Sequence, residues 1–121
     1  MPRTIDIDPN GGRPEVVLTI GHAQTGAFAI YLFEPDRVTH RELARGTARQ
    51  GAGQPVSLGD AAMLPQKILT WDAALIPVSG SRVSVTLTVL QNGRQVTSFT
   101  DAVDVPAGQN AAILRTGALL V

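Results

Sequence analysis

Asp6, Asp8, Asn10 and Gly11, in the stretch DIDPNGG, reproduce the first half of a calcium-binding loop. That pattern places oxygen ligands at positions one, three and five, glycine at six and a bidentate glutamate at twelve. Here position twelve falls on Val17, and Glu15 stands two residues early. Only five residues precede Asp6, too few for the entering helix, and Pro9 and Pro14 constrain the loop. The stretch therefore reads as a turn after a short edge strand, TIDID, with Ile5 and Ile7 inward and Asp6 and Asp8 toward solvent. No metal site is expected.

His22 and His40 are the histidines available for acid–base work. A Ser–His–acid triad would need a hydroxyl such as Ser57, Ser79 or Ser81 beside one of them, but no G-x-S-x-G elbow frames any serine. The SGS run at 79–81 reads as a turn, His22 as the end of a hairpin strand, and His40, among Arg and Glu, as part of a solvated face. Two acidic pairs, Asp101 with Asp104 and Glu34 with Asp36, sit at strand ends and turns. Carboxylates collect there for solvation and local hydrogen bonding. Neither a Walker loop nor a dinucleotide fingerprint occurs. No catalytic residue and no cofactor are expected; a small hydrolase using His22 or His40 is kept as a third reading.

Binding chemistry has two candidates. Arg37, Arg41, Arg45 and Arg49 recur every four residues, a spacing that lines them up on a helix or on a strand alike. Val38, Leu43, Ala44 and Ala48 make a poor helical core face, and Gly46 weakens a helix by about 1 kcal/mol relative to alanine. An extended strand followed by the loop GTARQGAG is the expectation. The arginines then either contact an acidic partner or guard an edge by charge. Tyr31 and Trp71 are the second candidate, a platform for stacking a sugar ring, although Trp71 in ILTWDAALI has the surroundings of a core residue.

The elements that must position these groups are strands. In RVSVTLTVL (82–90), Val83, Val85, Leu87 and Val89 alternate with Ser84, Thr86 and Thr88, and Asn92-Gly93 follows as a hairpin signal. A two-residue turn pairs Val89 with Val96, but strict alternation then sends Phe99, Val103 and Val105 to the polar side. A bulge near Thr97 and Ser98 restores them. A second hairpin is predicted from EVVLTIGH, the turn QTG and AFAIYLFE. The returning strand is apolar on both sides, so it is either central and covered or faces a partner. QPVSL, KILTWDAALIPV and NAAILRTGALLV supply further strands. The last could complete the core or add its edge to another protomer's sheet.

The whole 121-residue chain, 1–121, is therefore expected to be one all-β domain, a small antiparallel β-sandwich. Seven to nine short strands with Greek-key connections, immunoglobulin-like or jelly-roll-like, and little or no helix are anticipated. The chain has no Cys, which excludes disulfides and thiolate chemistry. Ten basic and ten acidic residues cancel, so the field that draws proteins to nucleic acid or anionic lipid is missing. Nine of the ten basic residues are Arg; with abundant Ala, Gly and Pro this resembles GC-rich codon usage and says little about phosphate binding. No signal-peptide core and no apolar run of about 20 residues occurs, so a cytoplasmic location is expected by default, with a secreted form compatible. The leading functional expectation is a non-catalytic module acting through protein–protein contact, including self-association. Its site residues are Arg37, Arg41, Arg45 and Arg49, with Tyr31 and Trp71. A carbohydrate- or small-ligand-binding module is the alternative.

Overall fold

The computed structural model describes residues 3–78, 80 and 82–121. Ser79 and Ser81, and with them the expected SGS turn, lie outside the described residues. Ten strands are present among those described: β1 Thr4–Ile5, β2 Glu15–Gly21, β3 Ala23–Phe33, β4 His40–Ala48, β5 Gly51–Ala52, β6 Val56–Ser57, β7 Ile68–Pro77, β8 Arg82–Gln91, β9 Arg94–Asp104 and β10 Ala112–Leu120. One 3-10 turn, Ala61–Met63, is capped by Asp60, whose side chain accepts from the Ala62 N–H. The first sheet has the order β1-β10-β7-β3-β4; the second runs β5-β2-β8-β9, with β6 also pairing β2. All pairs are antiparallel except β1 with β10. The chain is thus a small β-sandwich, as its alternation dictates.

The core is made where the inner faces of the sheets meet. Val83, Val85, Leu87 and Val89 of β8 are at most 1% exposed, and they face Leu69, Trp71 and Leu75 of β7 across one continuous apolar cluster. Asn92 (φ 56°) and Gly93 (φ 74°) both adopt positive φ, the conformation that a two-residue hairpin turn matched to strand twist requires. The bulge that follows lies one residue nearer the turn than expected. Leu90 pairs Gln95 while Val89 pairs Thr97, so Val96 is the extra residue, not Thr97 or Ser98. Its effect is the predicted one: Phe99, Val103 and Val105 return to the core side.

The predicted β2–β3 hairpin does not form. β2 belongs to the second sheet and β3 to the first, and Gln24, Thr25 and Gly26 lie inside β3 rather than in a turn. The chain crosses between sheets at His22, exposed and at φ 62°, whose carbonyl accepts from the Val78 N–H at 3.0 Å. Alternation specifies which side of a strand is buried; it does not say on which sheet the strand lies. β3 does take the central place its two-sided apolarity implies, between β7 and β4.

The DIDPNGG stretch is held against the β8–β9 turn. Ile5 and Ile7 are buried and Asp6 and Asp8 exposed. Asp8 closes the bend locally, its Oδ1 accepting from the Asn10 N–H and its carbonyl from the Gly11 N–H. Gln91, buried at 6% exposure, accepts from the Asp8 N–H and donates to the Asp8 and Gly12 carbonyls, while Asn92 Oδ1 accepts from the Gly12 N–H. A buried amide needs such a set of partners.

Candidate functional site

Two outer faces remain, and their chemistry differs. The second sheet presents Ser84, Thr86 and Thr88 of β8 beside Ala102, Thr100 and Ser98 of β9, and the Thr86 and Thr100 hydroxyls hydrogen-bond at 2.9 Å. These are short polar side chains that suit a solvated β surface. The first sheet presents aromatic, charged and very small residues instead.

On that first-sheet face, register brings four rows together. Ala27 lies between Ala74 and Thr47, and Ala74 pairs Ile113. Ala29 lies between Asp72 and Arg45, and Asp72 pairs Arg115. Tyr31 lies between Thr70 and Glu42, and Thr70 pairs Gly117. Phe33 lies between Ile68 and His40. The alanines and Gly117 leave the middle low. Two adjoining hollows result, about 520 Å³ around Tyr31, Phe33, His40 and Thr70 and about 430 Å³ around Ala27, Ala29, Ala74 and Ile113; Tyr31, Asp72 and Arg115 border both.

The walls are braced by their own contacts. His40 stacks on Phe33 at 4.7 Å between ring centroids and meets Tyr31 edge-on at 5.8 Å. Its Nδ1 lies 2.8 Å from the Val38 carbonyl, which makes that nitrogen the donor. Arg45 donates to Glu42 at 2.6 Å and to the Tyr31 hydroxyl at 2.9 Å, and the Glu42 bond holds the guanidinium above its ordinary pKa. Asp72 and Arg115, by contrast, stand opposite one another with no ion pair joining them among the described residues.

The four arginines do not form one stripe. A bulge on β4 breaks the spacing: Tyr31 pairs Glu42 and Ile30 pairs Ala44, so Leu43 is inserted. Arg41 is consequently opposite Leu32, on the core side, and its guanidinium reaches round to the Leu58 carbonyl at 3.3 Å. Arg45 is opposite Ala29, on the outer face. Arg37 sits in the β3–β4 turn at φ 64°, where Asp36 accepts from the Val38 and Thr39 N–H groups and from the Thr39 hydroxyl. Arg49 lies beyond the end of β4. One inserted residue turns a shared face into opposite ones.

Trp71 is fully buried and cannot be part of a sugar platform; its ring packs parallel to Phe99 with centroids 6.0 Å apart. Tyr31 and Arg45 are the predicted residues that the fold brings together on the outer face. His22 and His40 lie apart, and neither hydrogen-bonds to a hydroxyl or carboxylate among the described residues. No group of three His, Asp or Glu able to hold a metal occurs among the described residues. Sequence reasoning passed over Asp72 and Arg115. Each is the one charge in its strand and stands at outward parity, which was a usable signal. Their pairing, across 43 residues of chain, was not legible. No family model, curated protein or solved structure matches this chain, so the reading of this face rests on its own residues.

Proposed function

We propose that this chain is a non-catalytic binding module that pairs with a second copy of itself through the outer face of the first sheet. The observation that carries the reading is Asp72 beside Arg115, opposite charges left without an ion pair in the middle of that face. A twofold axis through such a pair sets each Asp72 against the other copy's Arg115, which is the self-complementarity an isologous interface needs. Apolar surface flanks the charges: Ile113 is 61% exposed and Ile76 40%, with Ala27 and Ala74 beside Ile113. Zero net charge removes long-range repulsion between copies.

The sheet edges are poorer candidates. β9 carries Asp101 on its core side and a bulge at Val96; β4 carries Arg41 on its core side and a bulge at Leu43. Inward charges and bulges are the devices by which edge strands avoid pairing with other chains.

The test is a charge swap read by sedimentation equilibrium. Wild type is expected to dimerise at micromolar concentration, Asp72→Arg and Arg115→Asp each to be monomeric, and an equal mixture of the two variants to recover dimers. A wild type that stays monomeric to several hundred micromolar refutes the reading.

A second reading is favoured by the hollow at the aromatic end, where Tyr31 and His40 adjoin the Thr70 hydroxyl, Asp72 and Arg115. An aromatic ring next to such hydrogen-bonding groups suits a monosaccharide. Titration of simple sugars, with loss of binding in Tyr31→Ala, would favour it over self-pairing.

A further inference from the structure

Away from that face, the sandwich is open along one side. There β2 of the second sheet, on the side away from β8, pairs with β5 and β6, two residues each, and among the described residues the chain between them is tied to β2 by one Gly53 N–H to Leu18 carbonyl bond of 2.9 Å. The gap between this broken edge and β4 leads into a cavity of about 350 Å³ between the sheets. Its interior is apolar: Leu18 and Ile20 from β2, Phe28 and Ile30 from β3, Ala44 and Ala48 from β4. Arg49, with Thr47, Gln50 and Gln54, contributes the polar part of its lining. Arg49 is exposed and makes no ion pair among the described residues.

From this geometry we infer that the cavity is a binding site for a small amphipathic carboxylate, its apolar body between the sheets and its carboxylate at Arg49. A dry apolar cavity of about 150 Å³ accepts benzene, so this volume accommodates an apolar body of about ten carbons. Ligand sites take this form, an apolar enclosure with a few polar groups that fix orientation. A guanidinium at the mouth selects an anion, and its planar fork matches a carboxylate. A neutral hydrocarbon would leave Arg49 unused, and a doubly charged or strongly polar ligand would find no partners beyond the rim.

Octanoate, with 1-octanol as its uncharged counterpart, is the probe, followed by methyl chemical shifts in the intact chain. Octanoate is expected to bind saturably and to shift the methyl signals of Leu18, Ile20 and Ile30, leaving those of Val83 and Val85 unmoved. Ala44→Leu fills the cavity and is expected to weaken octanoate by at least about tenfold while the fold's dispersed spectrum is kept. Arg49→Gln, which alters only the exposed mouth, is expected to weaken octanoate by about three- to fivefold and leave octanol unchanged. Absence of saturable octanoate binding at millimolar concentration overturns the proposal. So does octanoate binding that Ala44→Leu leaves intact, or an Arg49→Gln effect shared equally by octanol.

Discussion

Along one side of the sandwich, β9 of the second sheet meets β1 and β10 of the first. Arg3, next to β1, spans the gap with two bonds to the Asp101 carboxylate, at 2.6 and 2.8 Å, and lies 5.0 Å from the centre of the Phe99 ring. Phe99 in turn packs on Trp71. Along the other side, β4 faces β5 and β6, and no such stack fills the space. What differs is how far the chain reaches across: a long strand with a cation, a carboxylate and two aromatic rings closes the first side, while two-residue strands, with Gly53 and Pro55 between them, cannot close the second. The sealed side serves stability, and the open side holds the cavity.

Truncation should expose this asymmetry. The largest effect is expected from Trp71→Ala, about 4 kcal/mol, because it removes the biggest fully buried side chain and leaves Phe99 facing a void. Phe28→Ala, on the open side, should cost only about 2 kcal/mol, since part of that ring already borders empty space and has fewer contacts to lose. Urea denaturation of both variants checks the ordering; equal losses would mean that the two sides are equally well packed. Asp101→Asn comes next at about 1 kcal/mol, because the ion pair is partly buried rather than fully enclosed. The loss should shrink when wild type and variant are compared at high salt.

The smallest effects are those of acid. Thr39 and the backbone N–H groups around Asp36 hold its carboxyl below the ordinary range, and Arg82 does the same for Asp104. A carboxyl depressed on folding adds stability that is present above its unfolded pKa and is lost as pH falls through the lower folded value. Stability should therefore decline below the usual carboxylate range. Asp104→Asn and Asp36→Asn should each flatten that decline in acid denaturation curves. Half-molar salt should reduce the Asp104 contribution, which rests on an ion pair, more than that of Asp36, which rests on hydrogen bonds.

Much of this was legible in the residues. The alternation in β8 gave its buried face, Asn92-Gly93 its turn, and the lost parity of Phe99 a bulge, misplaced by one position because both placements restore the same residues to the core. The arginine stripe failed for the same reason. Nothing in HRELARGTA announces that Leu43 is inserted, so a period of four pointed to a common face that the ladder with β3 does not permit. Trp71 kept the core position its apolar neighbours implied. Asp72 and Arg115 were readable only as isolated outward charges.

By itself, then, the sequence determined local geometry: which side chains of each strand are buried, where the chain reverses at Asn92-Gly93, and that no thiol chemistry is available. These follow from two-residue periodicity and from backbone conformations accessible to particular residues, which act between near neighbours. Tertiary structure alone decided that β2 and β3 lie in different sheets, that Asp72 lies opposite Arg115 in the ladder, that Arg3 reaches Asp101 and that one side of the sandwich stays open. Those outcomes depend on which distant strands pair and in what register, and pairing is chosen by the burial of whole faces together rather than by any one stretch of chain.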